Sequence, residues 1–396
     1  MYLKRIVLSV LGSIFFATFA CTSMSALDNG QARTPPMGWN SWNKFGCPGV
    51  NEQVVRGIAD QIAANGMKDA GYEYVVIDDC WQGTRDTSGN ITADLTKFPS
   101  GMKSLADYVH SKGLKFGIYT DAGTQTCAGR EGSLGHEFQD AQQYSNWGVD
   151  FLKEDWCNTL PGQNSEASYT LMRNALAATG RPIVFSICEW GSTKPWLWAS
   201  TVGNMWRATG DIQDCWECKV SWGGMGITRV LDLMSGLESF VGPGHWNDMD
   251  MLEVGNGGMT TEEYRAHFSM WAMLSAPLIA GNDLTSMTAD TREILLNKAV
   301  IAIDQDPLGS AARRVRKEST TETWVKQLAD GSRAAALLNR GTAPATISVS
   351  WEDLGYPSTL PASIHDLWAN KDMGKHTGTY SSKVPAHGVV MVVVRP

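Results

Sequence analysis

The segment FLKEDWCN (151–158) puts Lys153, Glu154 and Asp155 directly after two apolar residues, then adds Trp156 and Cys157. Other apolar runs end the same way. Asp78 and Asp79 close YVVIDDCW, Asp121 closes KFGIYTDAG, and Glu189 closes IVFSICEWG; Arg207 and Asp211 sit in MWRATGDI, and Asp248 and Asp250 in HWNDMDML. Acids outnumber bases in these endings. No histidine pair has metal-ligand spacing, His245 stands alone and reads as structural, and there is no G-x-S-x-G elbow, P-loop or dinucleotide fingerprint. A rim of carboxylates and tryptophans without a metal or cofactor motif fits glycoside hydrolysis, in which one carboxylate attacks or activates water and another protonates the leaving oxygen. A single strand-end aspartate serves equally well to cap a helix or bridge a loop. The case therefore rests on several acids at once, and the residues alone do not say which two act.

The elements that must carry these acids repeat one theme. Eight apolar runs, MGWNSW (37–42), YVVIDDCW (74–81), KFGIYTDAG (115–123), DFLKEDWCN (150–158), IVFSICEWG (183–191), MWRATGDI (205–212), HWNDMDML (245–252) and APLIAGNDL (276–284), read as strands spaced for crossover helices between parallel neighbours. VVRGIADQIAANGMKDAGY, between the first two, has helical spacing and a cap in Gly71. The fold class is α/β: a (β/α)8 TIM barrel over 26–310, whose chemistry sits at the C-terminal strand ends. Beyond Asp306-Pro307 the rhythm changes. TWVKQLADGSRAAALLNRG reads as a hairpin turning at Asp330-Gly331, and ATISVSW and GVVMVVV as further strands, so 311–396 is expected to be an antiparallel β-sandwich domain.

The totals agree. The 396 residues carry a net charge of −8 with no basic run after the N-terminus, which argues against nucleic acid and against an anionic membrane surface as partners. Forty glycines and 16 tryptophans suit a turn-rich, sugar-handling protein, although tryptophan is more often core. Residues 1–25 read as a secretory signal: Lys4 and Arg5, an apolar Ile6 to Phe19, then small residues from Ala20 to Ala26. Cleavage sites are offered after Ala20, Ser25 and Ala26. Thr18-Phe19-Ala20 is a poor lipid-attachment pattern for Cys21, and no other segment would span a bilayer. The mature protein is expected to be secreted or periplasmic, with oxidisable cysteines. Adjacent strand ends make Cys47–Cys80 and Cys127–Cys157 reasonable bridges, and C-W-E-C favours a local Cys215–Cys218 bridge over a redox or zinc motif, leaving Cys188 as a free buried thiol beside the site.

ARTPPMGWNSWNKFGC (32–47), YVVIDDCW, FGIYTDAGTQTCAG (116–129), FLKEDWCN, SICEWG (186–191), WRATGDI (206–212) and GPGHWNDMDMLEVGN (242–256) together resemble glycoside hydrolase family 27, the α-galactosidase family, in order across about 250 residues. The resemblance implies retaining hydrolysis of terminal α-D-galactose without metal or cofactor. It makes Asp155 in K-x-D-x-C similar to the nucleophile and Asp211 in W-R-x-x-x-D similar to the acid/base. It implies that Asp78 and Asp79 hold O6 and O4, that Lys153 reaches O3 and O4, that Arg207 lies near O2, and that Trp42 forms an aromatic wall, with Tyr119, Cys127, Trp190 and Asp250 lining the rest. Lys153, two residues before Asp155, would then share its strand face and help keep it ionised, with Glu154 on the other face.

Several positions depart from the family pattern. Glu154 replaces an aromatic and is expected to add a charge near the nucleophile. Met249 replaces a proline and is expected to loosen the loop carrying Asp250. Trp156 and the CWEC loop are expected to reshape the leaving-group side. Glu189, beside Trp190, is expected to exclude an acetamido group at O2, ranking α-N-acetylgalactosaminidase low. The alternatives are a β-L-arabinopyranosidase, an isomaltose-releasing dextranase, or a secreted galactose-binding protein without catalysis; the last is disfavoured because both Asp155 and Asp211 are present.

Overall fold

A computed structural model describes residues 27–396, so residues 1–25, read above as a secretory signal, and Cys21 lie outside the described residues. All eight apolar runs form strands: β1 (Met37–Asn40), β2 (Tyr74–Val76), β3 (Lys115–Asp121), β4 (Phe151–Asp155), β5 (Val184–Ile187), β6 (Met205–Arg207), β7 (Trp246–Asp248) and β8 (Leu278–Ala280). They make one parallel sheet in the order β7-β6-β5-β4-β3-β2-β1-β8. The sheet curls until a parallel bridge from Leu252, just after β7, to Ala280 joins its two edges.

Period-two alternation decides what each strand shows to the barrel interior. Tyr74, Val76, Phe151, Val184, Met205 and Trp246 fill the inside. Val75, Leu152, Phe185 and Trp206, their sequence neighbours, belong to the larger core shared with the surrounding helices. In β4 the alternation carries Phe151, Lys153 and Asp155 inward and Leu152 and Glu154 outward. The stretch read as one helix before β2 is two, Glu52–Ala64 and Met67–Ala70. The break falls at Gly66, whose φ of 93° no helix interior permits, and Gly71 (φ 108°) ends the second piece as expected.

Eight more strands follow: β9 (Arg313–Glu318), β10 (Thr321–Gln327), β11 (Arg333–Asn339), β12 (Ala345–Ser350), β13 (Pro361–Asp366), β14 (Lys371–Thr377), β15 (Thr379–Val384) and β16 (Val389–Arg395). They build a six-stranded antiparallel sheet, β14-β13-β16-β11-β10-β9, and a two-stranded one, β12-β15. The β10–β11 hairpin forms around Asp330-Gly331, with Gln327 opposite Arg333 and Gly331 at φ 85°. The six-stranded sheet is apolar on both faces. Trp324, Ala336, Leu338, Met391 and Val393 join the barrel's core, whereas Val325, Ala335, Leu337, Val392 and Val394 pack with Ile347 and Val349 of the small sheet.

Charges along the seam between the barrel and the large sheet are matched. Lys326 is 1% exposed, and its Nζ donates to Ala272 O (3.1 Å), Ser275 Oγ (2.7 Å) and Ile303 O (2.6 Å). Asp232, on the helix Ile227–Met234, meets Arg314 (2.8 Å), Lys317 (2.9 Å) and Arg340 (3.0 Å), and Glu322 takes Arg340 (2.9 Å) and Arg314 (3.1 Å) from the sheet side.

Candidate active site

At the C-terminal ends of the barrel strands lies a cavity of about 190 Å³, small beside the roughly 300–1,000 Å³ of common small-molecule clefts. Asp78 and Asp79 reach it from the end of β2, Tyr119 from β3, Lys153 and Asp155 from β4, and Arg207 and Asp211 from β6 and the turn beyond; Trp42, Cys127, Trp190 and Asp250 complete the wall. Of the twelve residues singled out as catalytic or sugar-binding, eleven line this one space. Five are aspartates and two are cations, so the lining carries a formal −3 with every acid ionised.

Asp155 is 6% exposed. Tyr119 OH donates to its Oδ2 (3.0 Å) and Trp156 N–H to its Oδ1 (3.0 Å), which fixes the carboxylate's plane. Burial raises its pKa to about 6; the positive charge of Lys153 works against that rise, while Asp211 and Asp78 add to it. Lys153 Nζ bonds Asp78 Oδ2 (2.8 Å), which also accepts from Asn40 Nδ2 (2.7 Å). Across the cavity, Arg207 is buried and gripped by Asp211 Oδ1 (2.9 Å) and Asp250 Oδ2 (3.0 Å). The Asp211 side chain stays 41% exposed against 3% for Arg207. It is thus far more open than Asp155. Cys188 is a free buried thiol beside the site, 3.8 Å from Arg207 Nη1.

All three expected disulfides, Cys47–Cys80, Cys127–Cys157 and Cys215–Cys218, are present. Asp121 is buried but not in the lining; its carboxylate accepts from Gly123 N (2.7 Å) and Cys157 N (2.9 Å), and burial with the nearby Asp155 raises its pKa to about 8. Asp121, Asp155 and the sulfurs of Cys127 and Cys157 lie within 4.8 Å of one another. A soft metal would need thiolates there, and both sulfurs are committed to a disulfide.

Four expectations need correcting. Glu189 is fully buried outside the cavity: Trp190 turns into the left-handed region (φ 56°), so Trp190 faces the site while Glu189 Oε2 folds back to Thr193 N (2.6 Å). It therefore does not line the cavity. Glu154 adds no charge to the site. It points outward, 1% exposed, and burial followed by Asp121, Glu137 and Asp140 raises its pKa well above the ordinary carboxylate range. Asp250 is not loosened by Met249, which is fully buried. Asp250 sits at φ 76° with its Oδ2 accepting from Ile212 N (2.9 Å), its N–H on Asp248 Oδ1 (2.8 Å) and its carbonyl taking Trp271 Nε1 (2.9 Å). Trp156 does not shape the leaving-group side, since its ring packs on Tyr169 at 5.4 Å, toward the helices. The loop holding CWEC does border the cavity, through Gln213 and Trp222. Those two and Asn43 escaped the sequence reading; the available signal was a tryptophan followed by Gly223-Gly224 just after an acid-bearing strand end.

Against known proteins, residues 34–306 match the family described as alpha galactosidase A, and residues 318–394 the alpha galactosidase C-terminal beta sandwich domain. The chain is 50% identical over 378 residues to alpha-galactosidase A of Cellvibrio japonicus, covering 92% of this chain and 93% of that one. The crystal structure of alpha-galactosidase I from Mortierella vinacea superposes with a TM-score of 0.89 at 42% identity, covering 93% of this chain and 98% of that one. The alpha-galactosidase of Saccharomyces cerevisiae with raffinose superposes with a TM-score of 0.88 at 34% identity, covering 93% and 99%.

Proposed function

The chain belongs to the alpha-galactosidase A family, and from that premise we propose that it is a retaining exo-glycosidase that removes terminal α-D-galactose from oligosaccharides, polysaccharides or glycoconjugates. The observation that carries this reading is the pairing of a buried, doubly hydrogen-bonded Asp155 with the open, arginine-bound Asp211 in one small cavity. The cavity's size and its excess of acceptors suit one hydroxyl-rich ring, held by Asp78, Asp79, Lys153 and Arg207 against Trp42 and Trp190. Beyond this terminal residue the reading leaves the leaving group free.

In the first step a carboxylate oxygen of Asp155 bonds to C1 of the galactosyl unit. The C1–O bond to the leaving group breaks, and protonated Asp211 gives its proton to the departing oxygen. In the second step ionised Asp211 takes a proton from water, the water oxygen bonds to C1, and the C1–O bond to Asp155 breaks, releasing galactose and restoring both acids. Lys153 supports the ionised form of Asp155 that the first step requires, and Tyr119, whose phenol burial keeps protonated, can only donate to it.

Export is also proposed. The three disulfides support a location outside the reducing cytosol. Among the described residues no helix is long and apolar enough to cross a membrane.

The test is release of p-nitrophenol from the α-galactoside, the β-L-arabinopyranoside and the N-acetyl-α-galactosaminide by the wild type and by Asp155→Ala. We expect the α-galactoside to be preferred, with the substitution abolishing turnover. Preference for the arabinopyranoside would keep the mechanism and move the substrate; galactose binding without turnover of any of the three would overturn the exo-galactosidase reading.

A further inference from the structure

Asp211 stands four residues past the end of β6, and among the described residues Arg207 is the one side chain that bonds its carboxylate. Its position therefore depends on the backbone of the loop that it opens, which runs from Ile212 to the helix Ile227–Met234. The barrel holds the stems of that loop. Met225 N–H donates to Asp211 O (2.9 Å), Gln213 N–H donates to Met225 O (2.8 Å), and Asp214 accepts from Tyr264 OH (2.8 Å). The crown of the loop is met from the other domain.

Cys215 and Cys218 are bridged and close a turn around Trp216, which is 6% exposed. Trp216 Nε1 meets no acceptor among the described residues, so packing rather than a hydrogen bond orients the indole. The plane against it is the imidazole of His387, from the turn between β15 and β16, with centroids 5.2 Å apart and rings 19° from parallel. His387 is itself fixed. Its Nδ1 lies 2.7 Å from Glu263 Oε1, and Glu263 Oε2 accepts from Thr260 N–H (2.7 Å) at the start of the helix Thr261–Met273. Its backbone is in the left-handed region (φ 51°), which costs a non-glycine residue free energy and persists only where the surroundings impose it.

A second contact from the same domain lands at the start of the helix Ile227–Met234. Arg340, directly after β11, donates through Nη1 to Thr228 O (3.2 Å), and Thr228 N–H donates to Trp216 O (3.1 Å). Both the ring and the carbonyl of Trp216 are thus tied to the C-terminal domain, the first directly and the second through one residue. Adhesion between the domains does not require a contact on this loop, since the ion pairs of Asp232 and Glu322 along the seam already supply it.

We propose that His387 is a positioning residue for Asp211. The C-terminal domain sets Trp216 through the imidazole plane; Trp216, five residues from Asp211 in a loop bridged at its crown and paired at its stems, sets the backbone from which that acid reaches the cavity. The role rests on the α-galactosidase reading above. It is tested by kcat/KM for melibiose, whose sugar leaving group needs a proton, against that for p-nitrophenyl α-galactoside, whose leaving group needs one less. The ratio of the two does not depend on how much protein folds. In His387→Ala the melibiose-to-nitrophenyl ratio falls about 10-fold, inside the loss expected of a misplaced catalytic group. His387→Phe, which keeps a plane against Trp216, retains most of the ratio, and His387→Gln, which keeps a polar group but no plane, does not. In an Asp211→Asn background His387→Ala leaves the ratio unmoved. An unchanged ratio in His387→Ala, or a further fall in the double variant, would overturn the role and make His387 a contact between domains only. The opposite order of Phe and Gln would overturn the stacked plane as its means. A wild type inert toward both galactosides would overturn the α-galactosidase reading, and this role with it.

Discussion

Two clusters of charge in this molecule use the same residue types to opposite ends. Along the seam between barrel and large sheet, Lys326 is buried with three oxygen acceptors, and Asp232 and Glu322 are divided among Arg314, Lys317 and Arg340 in direct ion pairs. At the strand ends, five aspartates and two cations surround an open space, and desolvation lifts Asp155 to about 6. Burial alone does not separate the two, since both hold fully buried ions. The distinction lies in balance: opposite charges that satisfy each other hold surfaces together, whereas acids in excess around a cavity remain reactive toward what enters.

Breaking each cluster in turn should give different losses. The largest is expected at Asp211. Asp211→Asn removes the proton that a sugar leaving group requires, lowering kcat for melibiose about 10²- to 10⁴-fold. The loss should be smaller for p-nitrophenyl α-galactoside, whose leaving group departs without full protonation; a uniform loss across both would argue against the acid/base role. The seam gives a loss of another kind. Lys326→Met strands three acceptors and should lower unfolding free energy by about 2–4 kcal/mol in denaturant melts, with kcat of the folded fraction unchanged. A change in kcat without a change in stability would erase the contrast between the clusters. The smallest effect sharpens the comparison instead. Asp155 must be ionised to attack, so kcat/KM should fall as pH drops through about 6. Lys153 favours the ionised form, so Lys153→Met should move that acid limb to higher pH by about one unit, on top of its lost substrate contact. A limb that stays put would show that the ammonium does not govern Asp155.

The sequence made the barrel legible because each of its strands is an apolar run with a sharply polar end, from MGW to APLIA, and bridges between neighbouring ends follow from adjacency. The outer strands of the C-terminal sheets were less so. β14, KDMGKHT, is exposed at six of its seven positions and contains a glycine, so neither alternation nor β-propensity marks it. β9, RRVRKE, owes its strand to pairing with β10 rather than to its own composition. At the site, residue types were legible and directions only partly so. Lys153 and Asp155 point inward as strand alternation requires. Beyond the strand ends alternation lapses, and a single positive φ at Trp190 exchanges which of two neighbours meets the cavity. Trp222 was hidden for a related reason, because it lies in a loop beyond a strand end, where no alternation applies.

The closure of the barrel gives it a weak stave. β3 and β4 pair across five residues, whereas beyond β7 the edges meet, among the described residues, through one rung at Leu252 and Ala280, made of Leu252 N to Ile279 O (2.7 Å) and Gly281 N to Leu252 O (2.9 Å). Asp250 stands two residues before that rung, gripping Arg207, which in turn grips Asp211. A cask yields first at its thinnest joint, and the fewest backbone bonds need to break here for the wall to breathe. Asp155 thus stands where the wall is paired over five residues and Asp211 is tied to where it is paired over one, an arrangement that, under the proposed mechanism, would hold a ring still while the way out beside it opens.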